Sequence, residues 1–199
     1  MSRYAQAMVS AAPVPAVFLD RDDTIIDTQG ATAGTARPGD LADPDLVRLL
    51  PGVRDAMAEL AGAGLVLVVF TSQGVVSRGG ASLGQVEDVH DRVRALLEPV
   101  RLGGVYYCPF HPSGTERRFA REHAWRKPAP GMILSAAAEL GLDIPRSFAV
   151  GDKPRDVEAA RSAGISPERA LLLRTSGEAG AHDDLPAAAR AILGMLRGA

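Results

Sequence analysis

VFLDRDDTIID, from Val17 to Asp27, places four acidic side chains (Asp20, Asp22, Asp23 and Asp27) within eight positions, directly after an apolar run. Like charges at that density repel one another unless a cation or a shared proton compensates. An apolar stretch ending in such a cluster reads as a buried strand that delivers carboxylates to a site, and the cluster asks for a metal ion.

Outward from this stretch, apolar segments rich in Val, Leu and Phe recur at 65–70 (LVLVVF), 104–108 (GVYYC), 147–150 (SFAV) and 170–173 (ALLL), with 14–19 (VPAVFL) as the first of the series. Their length and composition are those of strands buried on both faces. Helical patterns lie between them. Val53, Ala56, Met57, Leu60 and Ala61 follow the i, i+3, i+4, i+7, i+8 rule and stop near Gly62 and Gly64. Val86, Val89, Val93, Leu96 and Leu97 repeat it up to Pro99, and further helices fit 131–140, 154–163 and 185–197. Strand and helix in alternation, five times over, predict an α/β fold whose central parallel sheet of about five strands is covered on both faces.

The bulk numbers agree with one domain over 14–199, preceded by a frayed tail at 1–13 that lacks the sustained apolar core of a signal peptide. A net charge of −2 gives no whole-molecule reason to expect nucleic acid or membrane as partner. The single cysteine, Cys108, excludes an internal disulfide, and no apolar run is long enough to span a bilayer. A cytoplasmic monomer acting on a small molecule is expected. Of 22 basic residues only Lys127 and Lys153 are lysines, a hint that these two positions want a compact ammonium instead of a planar fork.

In parallel sheets ligands gather outside the carboxyl ends of the strands. Asp20 and Asp22 follow the first strand, Thr71 and Ser72 the second, Lys127 the third after a long loop, and Gly151 and Asp152 the fourth. All fall on one rim. Asp20 and Asp22, two apart on an extended exit, are expected to project to the same side and share one divalent ion, with Asp152 completing an oxygen set suited to Mg²⁺. Thr71 offers a hydroxyl and Lys127 a cation to a transferring phosphoryl group. Singly, each residue has an ordinary use, since aspartates after strands cap helices and threonines serve turns. Jointly they spell phosphoryl transfer through an aspartyl-phosphate.

The set D-x-D-x-T (Asp20, Asp22, Thr24), Thr71, Lys127 and GDKPRD (Asp152, Asp156) resembles the haloacid-dehalogenase-like (HAD) phosphohydrolases over essentially the whole chain. FLDRD, VVFTSQGVVSRG, GVYYCP, RKPAPGM and VGDKPRDVEAA are similar to the HAD-IIIA branch that holds the D-glycero-D-manno-heptose 1,7-bisphosphate 7-phosphatases and the histidinol-phosphate phosphatases. The resemblance implies a Rossmann-like fold with a minimal loop as cap. It also implies Asp20 as nucleophile, Asp22 as general acid/base, and Thr71 and Lys127 as phosphate holders. Asp152 would bind Mg²⁺ with Asp20 and the backbone carbonyl of Asp22, and Asp156 would support that site from behind. Ser72, Arg78, Arg126 and Lys153 match positions near substrate phosphate or sugar. Thr24 is expected to tie the turn and Asp27 to open the loop toward substrate.

Three departures bear on these expectations. Asp23 stands where the family usually has Gly, and TSQ replaces TNQ. The family's zinc loop, C-x-H…C-x-C, has Cys108, Phe110, His123 and Trp125 at its ligand positions. Structural zinc wants four ligands, so no zinc is expected; Cys108 and His123 are remnants, and Phe110 and Trp125 are expected to hold the loop by packing. The basic loop 109–126 and the connection from Asp27 to Pro51 are left to set specificity, while His90 reads as a surface helix residue. Two other classes compete: a receiver-like signalling module, disfavoured because its phosphoacceptor comes from a middle strand of the chain, and a HAD-like binding protein without catalysis.

Overall fold

The structure, a computed structural model, describes residues 12–174 and 182–198. The expected tail therefore lies, apart from Ala12 and Pro13, outside the described residues. Five strands, β1 (Ala16–Leu19), β2 (Val66–Ser72), β3 (Gly104–Cys108), β4 (Phe148–Gly151) and β5 (Ala170–Leu172), form one parallel sheet in the order β3-β2-β1-β4-β5. The order reverses at β1, so the strand carrying the acidic cluster is central and the crevice of a topological switch point opens at its carboxyl end.

Side chains alternate across the sheet, as the pleat requires. Val17 and Leu19 of β1 join Leu67 and Val69 of β2 in one apolar layer with Met57, Leu60 and Ile192. Ala16 and Phe18 join Val68 and Phe70 in the other, with Ile133, Ala136 and Ala160. Both faces are thus buried, which is why the strands read as unbroken apolar runs. The first layer draws on α2 (Val53–Gly62), α3 (Leu83–Leu97) and α6 (Leu185–Arg197), the second on α4 (Gly131–Leu140) and α5 (Pro154–Ala163). Gly141 and Gly164, both at positive φ, end α4 and α5.

The connection after Asp27 contains the short helix α1 (Thr28–Thr32), which the apolar pattern did not reveal, and a 3₁₀ turn at Pro44–Leu46. Asp27 accepts from the Gly30 amide and so caps α1 instead of opening the loop. No helix among the described residues is long and apolar enough to cross a membrane.

Candidate active site

β1 ends at Leu19, and the amide of Asp20 still pairs with the Val150 carbonyl at 2.9 Å. The next residues leave the sheet in a tight turn in which Ile25 and Ile26 both donate to the Arg21 carbonyl, and Asp23 donates to the Ile26 carbonyl. Asp23 occupies the left-handed region at φ 55°, and its carboxylate accepts from the amides of Thr28 and Gln29 at 3.0 and 2.9 Å. The turn is tied by these bonds. Thr24, expected to tie it, is buried with its hydroxyl unpartnered.

Asp20 is 4 % exposed. Its Oδ1 lies 2.8 Å from Lys127 Nζ and accepts from the Arg21 amide. Lys127, equally buried, also lies 2.6 Å from Asp156 Oδ1 and donates to the Phe70 carbonyl. Asp156 sits in the first turn of α5, where its other oxygen accepts from the Lys153 amide. A Cβ at Gly151 would collide with the Asp156 side chain, so glycine at the end of β4 is what lets α5 approach this closely. Oxygens of Asp20, Asp152 and Asp156 all lie within 4.8 Å of one another.

Burial pushes the Asp20 carboxyl up to about 8; Asp156, Asp22 and Asp152 add to the rise and Lys127 works against it. Burial, and then Asp156, push Asp152 up to about 6. Lys127 is held above its ordinary value: burial works against its charge, and Asp20 and Asp156 outweigh it. Three buried carboxylates facing one ammonium are an oxygen donor set short of positive charge. A hard divalent cation fits it, in size of cluster and in kind of donor.

The Asp22 carboxylate does not join this group, contrary to the same-side expectation. It turns toward the end of β2, where Oδ1 accepts from Thr28 Oγ1 at 2.6 Å and from the Arg21 guanidinium, and Oδ2 from Gln73 Nε2 at 2.8 Å and Thr71 Oγ1 at 3.3 Å. The turn after Asp20 is not extended, so a spacing of two no longer means one face. Burial alone would raise the Asp22 carboxyl, but the Arg21 charge and the bonds from Thr28, Arg21 and Gln73 outweigh it and hold the group below the usual carboxylate range. Asp156, expected to support the metal site from behind, lies with Asp20 and Asp152 in this cluster.

A cavity of about 190 Å³ opens onto these residues. Asp20, Asp22, Thr71, Ser72, Lys127 and Asp152 line its floor. Arg78, Arg126 and Lys153 also line it, joined by His111 and by Arg155 and Gln29, which the sequence reading did not single out. Arg78 pairs with Asp40 of the connection after α1, and Lys153 Nζ lies 3.4 Å from Asp152. Ser72 Oγ is buried without a hydrogen-bond partner. The missed residues had weak signals: Arg155 lies inside GDKPRD, and Arg21 separates the two motif aspartates. Only the fold shows that Gln73 reaches Asp22.

The loop 109–126 closes on aromatic rings. Phe110 stacks on His123 at 4.3 Å between centroids, Phe119 lies against Phe110, Trp125 against Tyr106, and the Arg121 guanidinium covers Phe110. The Cys108 thiol is buried and pushed up by burial. With carbon rings at two of the four ligand positions, the loop does not fit structural zinc.

A family model described as HAD-hyrolase-like matches residues 124–196. The chain is 39% identical over 167 residues to the D-glycero-beta-D-manno-heptose-1,7-bisphosphate 7-phosphatase of Escherichia coli K12, covering 83% of this chain and 82% of that one. It is 36% identical over 192 residues to the protein of the same name from Yersinia pestis, covering 89% and 96%. Among solved structures, a putative HAD-like phosphatase from Mesorhizobium loti superposes with a TM-score of 0.74 at 32% identity, covering 92% of this chain and 87% of that one. The D,D-heptose 1,7-bisphosphate phosphatase of B. bronchiseptica, complexed with magnesium and phosphate, superposes at 0.73 with 26% identity, covering 92% and 99%.

The chain is a HAD-superfamily phosphatase, a phosphoric monoester hydrolase. Within that superfamily it belongs to the family of the bacterial heptose bisphosphate phosphatases.

Proposed function

We propose that this chain removes the 7-phosphate from D-glycero-D-manno-heptose 1,7-bisphosphate in an Mg²⁺-dependent reaction through an aspartyl-phosphate on Asp20. The observation that carries the reading is the buried Asp20 carboxylate at the floor of the polar cavity, paired with Lys127 and flanked by Asp152 and Asp156. Asp20, Asp152 and the backbone carbonyl of Asp22 are the residues that would hold the ion, with Asp156 beside them. When bound, Mg²⁺ supplies positive charge to the phosphoryl oxygens and lowers the repulsion between phosphate and carboxylates.

Asp20 attacks phosphorus, the bond to the sugar oxygen breaks, and Asp22 gives that oxygen its proton. Water, losing a proton to Asp22, then attacks the same phosphorus; the bond to Asp20 breaks and inorganic phosphate leaves. Lys127, Thr71 and Ser72 stabilise the equatorial oxygens in both steps. The resting Asp22 carboxylate must first take up a proton, which the charge of an arriving phosphate favours.

Arg78, Arg126 and Arg155 around the mouth favour a substrate with a second anionic group over one carrying an amine, which places histidinol phosphate behind a bisphosphate. A panel comparing kcat/KM for heptose 1,7-bisphosphates, histidinol phosphate and hexose phosphates tests this. The heptose bisphosphate should lead by at least tenfold, Mg²⁺ should be required, and Asp20→Asn should abolish turnover. A lead for histidinol phosphate would overturn the substrate, and no Mg²⁺-dependent turnover of any ester would overturn the reaction.

A further inference from the structure

Arg21 is the largest fully buried side chain among the described residues, 1 % exposed although it carries a permanent charge. Taking a guanidinium out of water is costly unless its surroundings compensate. Its Nη1 is buried without a hydrogen-bond partner. All the compensation therefore comes from one edge of the fork. Nε and Nη2 reach Asp22 Oδ1 at 3.2 and 3.0 Å, Nη2 also reaches Asp22 Oδ2 at 3.2 Å, and Nη2 donates to Gln73 Oε1 at 2.9 Å. Gln73 in turn donates to Asp22 Oδ2 and to Thr71 Oγ1. A turn residue chosen for stability alone would be apolar here. This one holds a carboxylate from the side while the end of β2 and the start of α1 hold it from two others.

We infer that Arg21 is a positioning residue that aims the Asp22 carboxyl at the leaving oxygen. The inference rests on the reading of Asp22 as proton donor. A proton donor works only from a narrow range of positions, within about 0.5 Å and 10–20° of the productive geometry. The planar fork of arginine, gripping Asp22 and Gln73 together, sets both the place and the plane of the carboxylate, which an ammonium at the same point could not do.

Leaving-group dependence separates this role from a structural one. A sugar alkoxide is a poor leaving group and needs its proton; p-nitrophenolate leaves without one. Arg21→Gln and Arg21→Lys are assayed on heptose 1,7-bisphosphate and on p-nitrophenyl phosphate, with Asp22→Asn alongside. General acid catalysis is worth roughly 10²–10⁴-fold. Each Arg21 variant should therefore lose at least tenfold more kcat/KM on the sugar phosphate than on the aryl phosphate, mainly in kcat, with Arg21→Lys milder than Arg21→Gln. Arg21→Lys keeps the charge and most of the volume, so it remains an assayable protein if Arg21→Gln fails to fold. Equal losses on the two substrates in Arg21→Lys, with a selective loss in Asp22→Asn, would overturn the positioning role alone. Equal losses in Asp22→Asn would overturn the proton-donor reading and the inference with it.

Discussion

Asp23 at φ 55° pays a local conformational cost, and two accepted amide bonds from Thr28 and Gln29 offset it. The left-handed region costs an ordinary L-residue about 1–2 kcal/mol, and a carboxylate capping a helix start returns about 1 kcal/mol. The two terms nearly cancel. Asp23→Gly should then change stability by less than about 1 kcal/mol, since it loses the cap and the strain together. Asp23→Ala loses the cap and keeps the strain, so it should be the less stable by about 1–2 kcal/mol. Urea unfolding of the three proteins gives the order, and an alanine variant as stable as the glycine variant would contradict it. Neighbouring residues were unequally readable. Asp20 and Asp152 announced themselves because charge directly after an apolar strand has few purposes, and Lys127 because it is one of only two lysines among 22 basic residues. Arg21 did not, because a charged side chain in a turn is ordinarily solvated; only its contacts show that it is buried for Asp22.

On the scale of elements, the strands were legible because both sheet faces are buried, and α2 to α6 because their apolar stripes keep the helical period. Helix α1 was not: five residues, only Thr28 and Thr32 buried, leave no period to detect. His90 shows a different failure. It reads as a surface helix residue, yet Val86, Val89, Val93 and Leu97 put position 90 on the buried stripe of α3. It is 2 % exposed, packs on Tyr107 of β3 at 5.1 Å between ring centroids, and has neither ring nitrogen hydrogen-bonded. Burial, with Arg21 and Arg94 adding to it and Asp22 opposing, pushes its pKa down to about 3; Glu87, 3.6 Å away, is half exposed. Above about pH 6.5 the imidazole is neutral in folded and unfolded chains alike. Below it the unfolded chain binds the proton and the folded chain does not until about pH 3, so this residue removes stability as pH falls through that window. The loss by pH 4 is on the order of 3 kcal/mol. His90→Phe should therefore gain on the wild type as pH drops from 7 to 4, measured by urea unfolding at each pH. A constant difference between the two proteins would mean the ring is not kept neutral by its surroundings.

Over the whole molecule, four segments far apart in the chain meet at the carboxyl end of the sheet: the turn after β1, the end of β2, Lys127 before α4, and the junction of β4 with α5. The folding energy of the two apolar layers is what holds Asp20, Asp152 and Asp156 within 4.8 Å of one another, and the consequence is visible in linkage. Asp20 at about 8 and Asp152 at about 6 lie above their ordinary 3.8. A carboxyl whose pKa is raised on folding takes up a proton between the two values, so these groups destabilise the metal-free fold as pH rises from about 4 toward 8. A divalent cation that binds the folded site alone stabilises it by mass action and must displace those protons to do so. The rise in Tm on adding Mg²⁺ should then be larger at pH 8 than at pH 6, and Asp152→Asn should reduce it at both. Thermal melts with and without Mg²⁺ at the two pH values decide the point. A shift that is the same at both, or that survives intact in Asp152→Asn, would place the stabilising ion somewhere other than among these carboxylates.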